Sequence, residues 1–260
     1  MSKYVIGDIH GCYDEFCEML SVIRFSEADT LICLGDYIVR GSQSLDMLEW
    51  LENKPDNVIT LRGNHEQEFV TSVEVMLRTD KLATLNTDIL SNKNSQALYE
   101  TVIYYLEQKS PELIMFFDAY RTIRDLLFKK DKTINDLIRW SEMIEKMPYF
   151  YETSVGGKSY IAAHAGYTDK GSKAERENFC LFAREESVEH GRDNCTIIAG
   201  HTPTIIEGEF AYNDGKVFRY YDKQHNCTFY NIDCGCVFRH KYDNARLACI
   251  RLEDEKVFYL

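Results

Sequence analysis

Three runs decide the reading of this chain: Lys3–Gly11 (KYVIGDIHG), Thr30–Gly41 (TLICLGDYIVRG) and Val58–Glu66 (VITLRGNHE). Each passes from a short β-prone stretch into a polar turn containing glycine, and Asp8, Asp36 and Asn64 recur at intervals of 28 residues. That interval is the length of a strand, a helix and the return to a parallel strand. Between the runs, Phe16, Met19, Leu20 and Ile23 fall at i, i+3, i+4 and i+7, and Leu45, Leu48 and Leu51 make a second apolar helical face. The pattern predicts βαβαβ and a parallel sheet. Its polar turns then lie at the C-terminal ends of the strands, where α/β proteins place their ligands.

From Asn64 to Val155 there are 92 residues without a glycine, although the chain of 260 has 14. Helix-start signals lie inside that stretch, at Ser110-Pro111-Glu112 before LIMFFDAYRTIRDLL and at Thr133 before INDLIRWSEMI. Residues 69–147 therefore read as a helical insertion, closed by Pro148. Strand-like segments return at YFYETSV, KSYIAAHAG, CTIIAGHT, VFRYY, TFYNIDCG and RLACIRL. They are expected to pair as a second, mixed or antiparallel sheet packed on the first, giving one α/β domain over residues 1–260 with a helical insert.

Composition narrows the function classes. Usage of 45% hydrophobic and 28% charged residues excludes disordered and low-complexity chains. With 30 Lys and Arg against 42 Asp and Glu, the formal charge of −12 argues against a general nucleic-acid binder, which needs basic clusters to displace counterions. No run approaches the ~20 apolar residues of a membrane helix, and the N-terminus lacks a signal-peptide pattern. Nine cysteines, an odd number without a C-x-x-C pair, fit a reducing compartment. The expectation is a cytoplasmic protein with no membrane partner.

The chemistry gathers at the turns. Asp8 and His10 are two apart, so continued strand geometry would point both to one side. Asp36 adds a carboxylate whose two oxygens can bridge two cations, Asn64 an amide oxygen, and His164 (AAHAG) and His201 (AGHTP) two more imidazoles. Two Asp, one Asn and three His form a mixed oxygen and nitrogen set suited to Mn, Fe or Zn rather than Ca. Taken singly, each has a plainer explanation: a helix cap at Asp8 or Asp36, a turn residue at Asn64, a core histidine at His164 or His201. Their concurrence in five strand-end turns, which hold four of the seven histidines, favours a site for two metal ions.

In GDIHG, GDYIVRG, GNHE, HAG and GHT the chain resembles the metal-dependent phosphoprotein phosphatase family, within the calcineurin-like metallophosphoesterase superfamily. The resemblance covers residues 3–68 and 158–252, and its nearest forms are compact bacterial and phage serine/threonine protein phosphatases and bacterial diadenosine tetraphosphate hydrolases. It implies a four-layer α/β/β/α sandwich with two metals between the sheets; the oxygen and nitrogen ligands and the expected cytosolic setting put Mn²⁺ first among the candidates. It also implies Asp8 and His10 as ligands of the first metal, Asp36 as the bridge, and Asn64, His164 and His201 as ligands of the second. Arg40 and Arg184 would clamp phosphate, a metal-bridging hydroxide would attack it, and His65 would protonate the leaving oxygen. Cys234 and Cys236 are expected to pack, and Asp233 to accept a structural hydrogen bond.

One departure divides the expected substrate. Protein phosphatases of this family carry aspartate where this chain has Val39, and that aspartate holds the catalytic histidine; valine has no acceptor. The diadenosine tetraphosphate hydrolases have a small apolar residue there, and their RGxxSLDxL continuation is echoed by Arg40-Gly41-Ser42-Gln43-Ser44-Leu45-Asp46-Met47-Leu48. GNHE and GHTP resemble the protein phosphatase side. The leading expectation is a phosphoserine/phosphothreonine phosphatase. The alternatives are a diadenosine polyphosphate hydrolase and a catalytically weak metal- or phosphate-binding module.

Overall fold

The computed structural model describes residues 1–78, 117–189, 192–205, 210 and 213–260. Strands β1 (Lys3–Ile6), β2 (Thr30–Cys33) and β3 (Val58–Thr60) pair in parallel, with Val5 opposite Ile32 and Ile32 opposite Ile59. Helices α1 (Tyr13–Val22) and α2 (Ser44–Glu52) make the crossovers that the 28-residue interval demands. After α3 (Asn64–Arg78), α4 (Phe117–Lys129) and α5 (Ile134–Glu145) come β4 (Phe150–Val155), β5 (Lys158–Ala163), α6 (Lys173–Phe182), β6 (Cys195–Ala199), β7 (Phe218–Asp222) and β8 (Cys227–Asn231). The last two strands are β9 (Ala248–Arg251) and β10 (Lys256–Tyr259).

The strand orders are β10-β9-β1-β2-β3 and β4-β5-β6-β8-β7. Alternation along the strands explains the layers. Val5, Ile32, Tyr160, Ala162, Ile198, Tyr230 and Ile250 meet in the core between the two sheets. Their neighbours Ile6, Leu31 and Cys33 turn outward against α1, α2 and the helices of the insertion, while Ile161, Ala163, Ile197 and Phe229 turn outward toward Cys180 of α6. The result is helix, sheet, sheet, helix.

Sequence pattern assigns RLACIRL to the second sheet, but in the structure it forms β9 of the first, antiparallel to β1 with Val5 opposite Ile250. Both faces of β1 are apolar and buried, so an open edge there would strand backbone polar groups in a dry layer. β9 closes that edge, and its alternation matches: Ala248 and Ile250 enter the core between the sheets and Cys249 faces the helices. The first sheet is therefore mixed rather than all parallel.

Thr133 begins α5 through a reciprocal cap in which its hydroxyl accepts the Asp136 N–H and the Asp136 carboxylate accepts the Thr133 N–H. α4 and α5 pack on α3 through Phe69, Val73, Ile123 and Trp140. The start signal at Ser110-Pro111-Glu112 lies outside the described residues. Among the described residues no helix is long and apolar enough to cross a membrane, and all nine cysteines are free thiols.

Candidate metal centre

The turns after β1 and β2 are laid on one another. The N–H groups of Ile9 and His10 both donate to the Asp36 carbonyl at 3.1 and 2.7 Å, and the Gly11 N–H donates to the Tyr37 carbonyl at 2.7 Å. His10, Asp36, Val39 and Arg40 take left-handed φ values of 49°, 52°, 72° and 69°, which cost roughly 1–2 kcal/mol per L-residue. Glu66, fully buried at the start of α3, holds the second turn in that shape. Its carboxylate accepts N–H donors from Asp36 (2.6 Å), Tyr37 (2.9 Å), Ile38 (3.3 Å) and Gly63 (3.1 Å). Sequence reasoning missed Glu66, whose only signal is its place in GNHE.

These turns bring Asp36, Asn64, His10, His65, His164 and His201 into one buried region. Asn64 Oδ1 lies 2.9 Å from both His164 Nε2 and His201 Nδ1, and those nitrogens are 3.2 Å apart. Asp36 Oδ1 is 3.5 Å from His164 Nε2, while its Oδ2 is 3.3 Å from His10 Nε2 and 3.9 Å from His65 Nε2. Two groups of donor atoms, His10/Asp36/His65 and Asp36/His164/His201, thus share Asp36. Donor atoms bound about 2.1 Å from a small divalent ion and about 90–110° apart lie roughly 3.0–3.4 Å from each other. The Asp36–His10 (3.3 Å) and His164–His201 (3.2 Å) spacings fall in that range and Asp36–His164 (3.5 Å) lies just beyond it, whereas His65 at 3.9 Å stands further off.

Asp8 is placed differently from the strand-geometry expectation. β1 ends at Ile6 and the backbone turns left-handed at His10, so the two side chains do not share a strand face. The His10 ring faces Asp36, whereas the Asp8 oxygens accept the His201 N–H at 3.1 and 3.2 Å. Asp8 borders the cluster, and Gly200 lets it: a Cβ there would overlap Asp8 Oδ1. Asp233, expected to be a structural acceptor, accepts the Gly235 N–H at 2.9 Å through Oδ1.

The electrostatics suit a cation. Burial, then Asp233 and Asp36, push the Asp8 carboxyl well above the usual range, and burial lifts Asp233 to about 7. Burial lowers His10 to about 3 and moves His164 and His201 down as well, leaving neutral rings. The His10 tautomer follows from Nδ1, 3.2 Å from the Ile38 carbonyl, which leaves Nε2 as the lone pair facing Asp36. Burial opposes charge on Asp36 too, but the surrounding imidazoles outweigh it and hold the carboxyl below its ordinary value. His65 moves the other way: Asp36 and a hydrogen bond to Glu68 overcome burial and raise it.

Arg40 stands at the rim, its Nη1 3.0 Å from His10 Nε2 and its Nε 3.8 Å from Asp118 of α4. Beside it a cavity of about 270 Å³ opens between the start of α2, at Ser42, Ser44 and Leu45, and α4, at Arg121, Thr122 and Leu126. Arg184 is exposed after α6, near enough to His201 for its charge to help depress that imidazole.

A family model described as calcineurin-like phosphoesterase matches residues 1–233. A symmetrical bis(5'-nucleosyl)-tetraphosphatase of Salmonella arizonae is 45% identical over 67 residues, covering 25% of this chain and 24% of that protein. One from Buchnera aphidicola is 33% identical over 110 residues, 42% of this chain and 38% of that protein. The chain spans well under half the length of these relatives. A crystal structure of a proposed diadenosine tetraphosphatase aligns with 100% of this chain and 92% of its own, with a TM-score of 0.59 and 15% identity, a likeness of fold.

Proposed function

We propose, since the chain belongs to the calcineurin-like phosphoesterase family, that it is a binuclear metal hydrolase cleaving the phosphate bridge of dinucleoside polyphosphates such as diadenosine tetraphosphate. The observation that carries the hydrolytic reading is Asp36 standing between His10 on one side and His164 and His201 on the other. The substrate reading draws on the tetraphosphatase relatives, the SLDML run after Arg40, and the cavity beside Arg40, which offers room for a substrate extending beyond its reacting phosphorus. Phosphoserine and phosphothreonine remain the second reading, favoured by the GNHE and GHTP runs.

Asp36, Asn64, His164 and His201 would hold one divalent ion, and Asp36, His10 and the neighbouring Asp8 the other, with Mn²⁺ as the proposed metal. Bound there, the ions supply Lewis acidity and a water activated at neutral pH. Arg40 contributes a planar fork of donors for non-bridging phosphoryl oxygens, a geometry lysine lacks. At the rim, Arg184 offers a second such fork. His65, with its raised proton affinity, delivers a proton from Nε2 to the departing oxygen.

A panel of diadenosine tetraphosphate, phosphopeptides and aryl phosphates, each with Mn²⁺, Fe²⁺, Zn²⁺ and Mg²⁺, tests this. Nucleotide products formed at a higher kcat/KM than phosphopeptide turnover are expected; phosphopeptide turnover without nucleotide products would transfer the assignment to the second reading. His65→Asn is expected to lower kcat on the best substrate by on the order of 10²-fold. Metal itself gives a further readout. An ion at a thousand times its Kd stabilises by about 4 kcal/mol. At roughly 2–4 °C per kcal/mol, adding Mn²⁺ to chelator-treated protein should raise Tm by about 10 °C; an unchanged Tm would count against a cation at these residues.

A further inference from the structure

Val39 stands where the protein phosphatases that this chain resembles carry the aspartate that steadies their catalytic histidine, and it is fully buried among apolar side chains. His65 is nevertheless held. One helical turn further along α3, Glu68 Oε2 lies 2.8 Å from His65 Nδ1. The other oxygen, Oε1, accepts from Asn64 Nδ2 at 3.2 Å. Residues three and four apart share a helix face, so Asn64, His65 and Glu68 meet by backbone geometry alone. The Glu68 side chain is only 12% exposed and that of His65 7%, so water competes weakly for either bond.

We infer that Glu68 is the positioning residue of this site, replacing the acceptor that Val39 cannot provide and fixing at the same time which way the Asn64 amide faces. Its two oxygens serve two donors. Accepting the Nδ1–H turns His65 Nε2 toward Asp36, 3.9 Å away, where a departing oxygen can be reached. Accepting the Asn64 N–H leaves Asn64 Oδ1 directed at His164 and His201. Glutamine has one carbonyl oxygen, and its amide nitrogen would set a donor against one of these two donors. An isosteric change therefore breaks one bond by design while filling the same volume. The inference rests on the reading of His65 as proton donor, and its test separates the two.

The experiment uses the full chain with Glu68→Gln and Glu68→Ala, the former guarding against loss of fold in the latter. In metal-free protein, ring ¹⁵N and Nδ1–H NMR signals of His65 should show a hydrogen-bonded, exchange-protected proton that is weakened in Glu68→Gln and absent in Glu68→Ala. With Mn²⁺, kcat on phenyl phosphate, whose departing oxygen needs a proton, should fall by on the order of 10–100-fold with KM little changed. The loss should be much smaller on p-nitrophenyl phosphate, whose departing oxygen leaves without one. An unaltered His65 proton signal in both variants, or equal losses on the two esters with Mn²⁺ affinity unchanged, would overturn the inference. If His65→Asn leaves kcat on phenyl phosphate intact, the proton-donor reading falls instead, and the NMR result still decides whether Glu68 orients the ring.

Discussion

Asp36→Asn is expected to cost on the order of 10⁴-fold in hydrolysis, about 5 kcal/mol of transition-state stabilisation, while the fold persists. Asparagine keeps the shape of the side chain and can still accept the His65 N–H that Asp36 Oδ1 accepts at 3.1 Å. It cannot keep two anionic oxygens. Asp36 faces His10 and His65 on one side and His164 on the other, so it is the one side chain common to both donor groups. An amide NH₂ turned toward either side removes a ligand there and halves the charge logic of the pair. Circular dichroism should be unchanged, and the Tm gain on adding Mn²⁺ should largely vanish. A variant retaining more than about a tenth of wild-type turnover would show that Asp36 is not shared between the ions, since losing several kcal/mol of Lewis-acid stabilisation leaves far less.

Gly63→Ala should damage stability and the donor cluster together. A Cβ at that position would overlap Asp36 Oδ1 and the Asp36 backbone nitrogen and stand 2.7 Å from Glu66 Oε2. None of these can retreat, because Glu66 is bound to three N–H groups of the turn that carries Asp36 and to the N–H of Gly63 itself. Overpacking of this kind costs about 3 kcal/mol or more, and here the strain falls on the donor cluster itself. The matching control is Gly156→Ala in the β4–β5 turn, where a Cβ meets nothing within 4 Å and only the φ of 57° is unfavourable, about 1 kcal/mol. Chemical denaturation of both variants, with Mn²⁺ binding to each, separates the two effects; equal destabilisation would sink the steric account.

Local features of the sequence carried most of the fold and the donor set. A glycine turn after a β-prone run is a local signal, and the 28-residue recurrence of Asp8, Asp36 and Asn64 encodes the parallel crossovers without reference to the rest of the chain. What escaped depends on tertiary partners. RLACIRL has the same alternation whichever sheet it joins, and only the open edge of β1 decides the matter. Asp8 and His10 were separable only once His10 was seen to be left-handed, a conformation that the letters GDIHG do not announce. Glu66 and Glu68 read as ordinary acidic residues near the start of a helix. Their meaning comes from the N–H groups of a turn some thirty positions earlier in one case and from the vacancy of polar function at Val39 in the other.

The order β10-β9-β1-β2-β3 has a consequence for biosynthesis. The strand that leads into Asp8 is central in its sheet, yet one of its flanking strands, residues 248–251, is made long after it. Until residues 248–251 emerge, a nascent chain presents β1 as a bare apolar ribbon, a template for pairing with other chains. Pairing of such distant segments is intrinsically slow to form. Emergence of residues 248–251, rather than completion of the donor-bearing turns, is then the event that closes the first sheet.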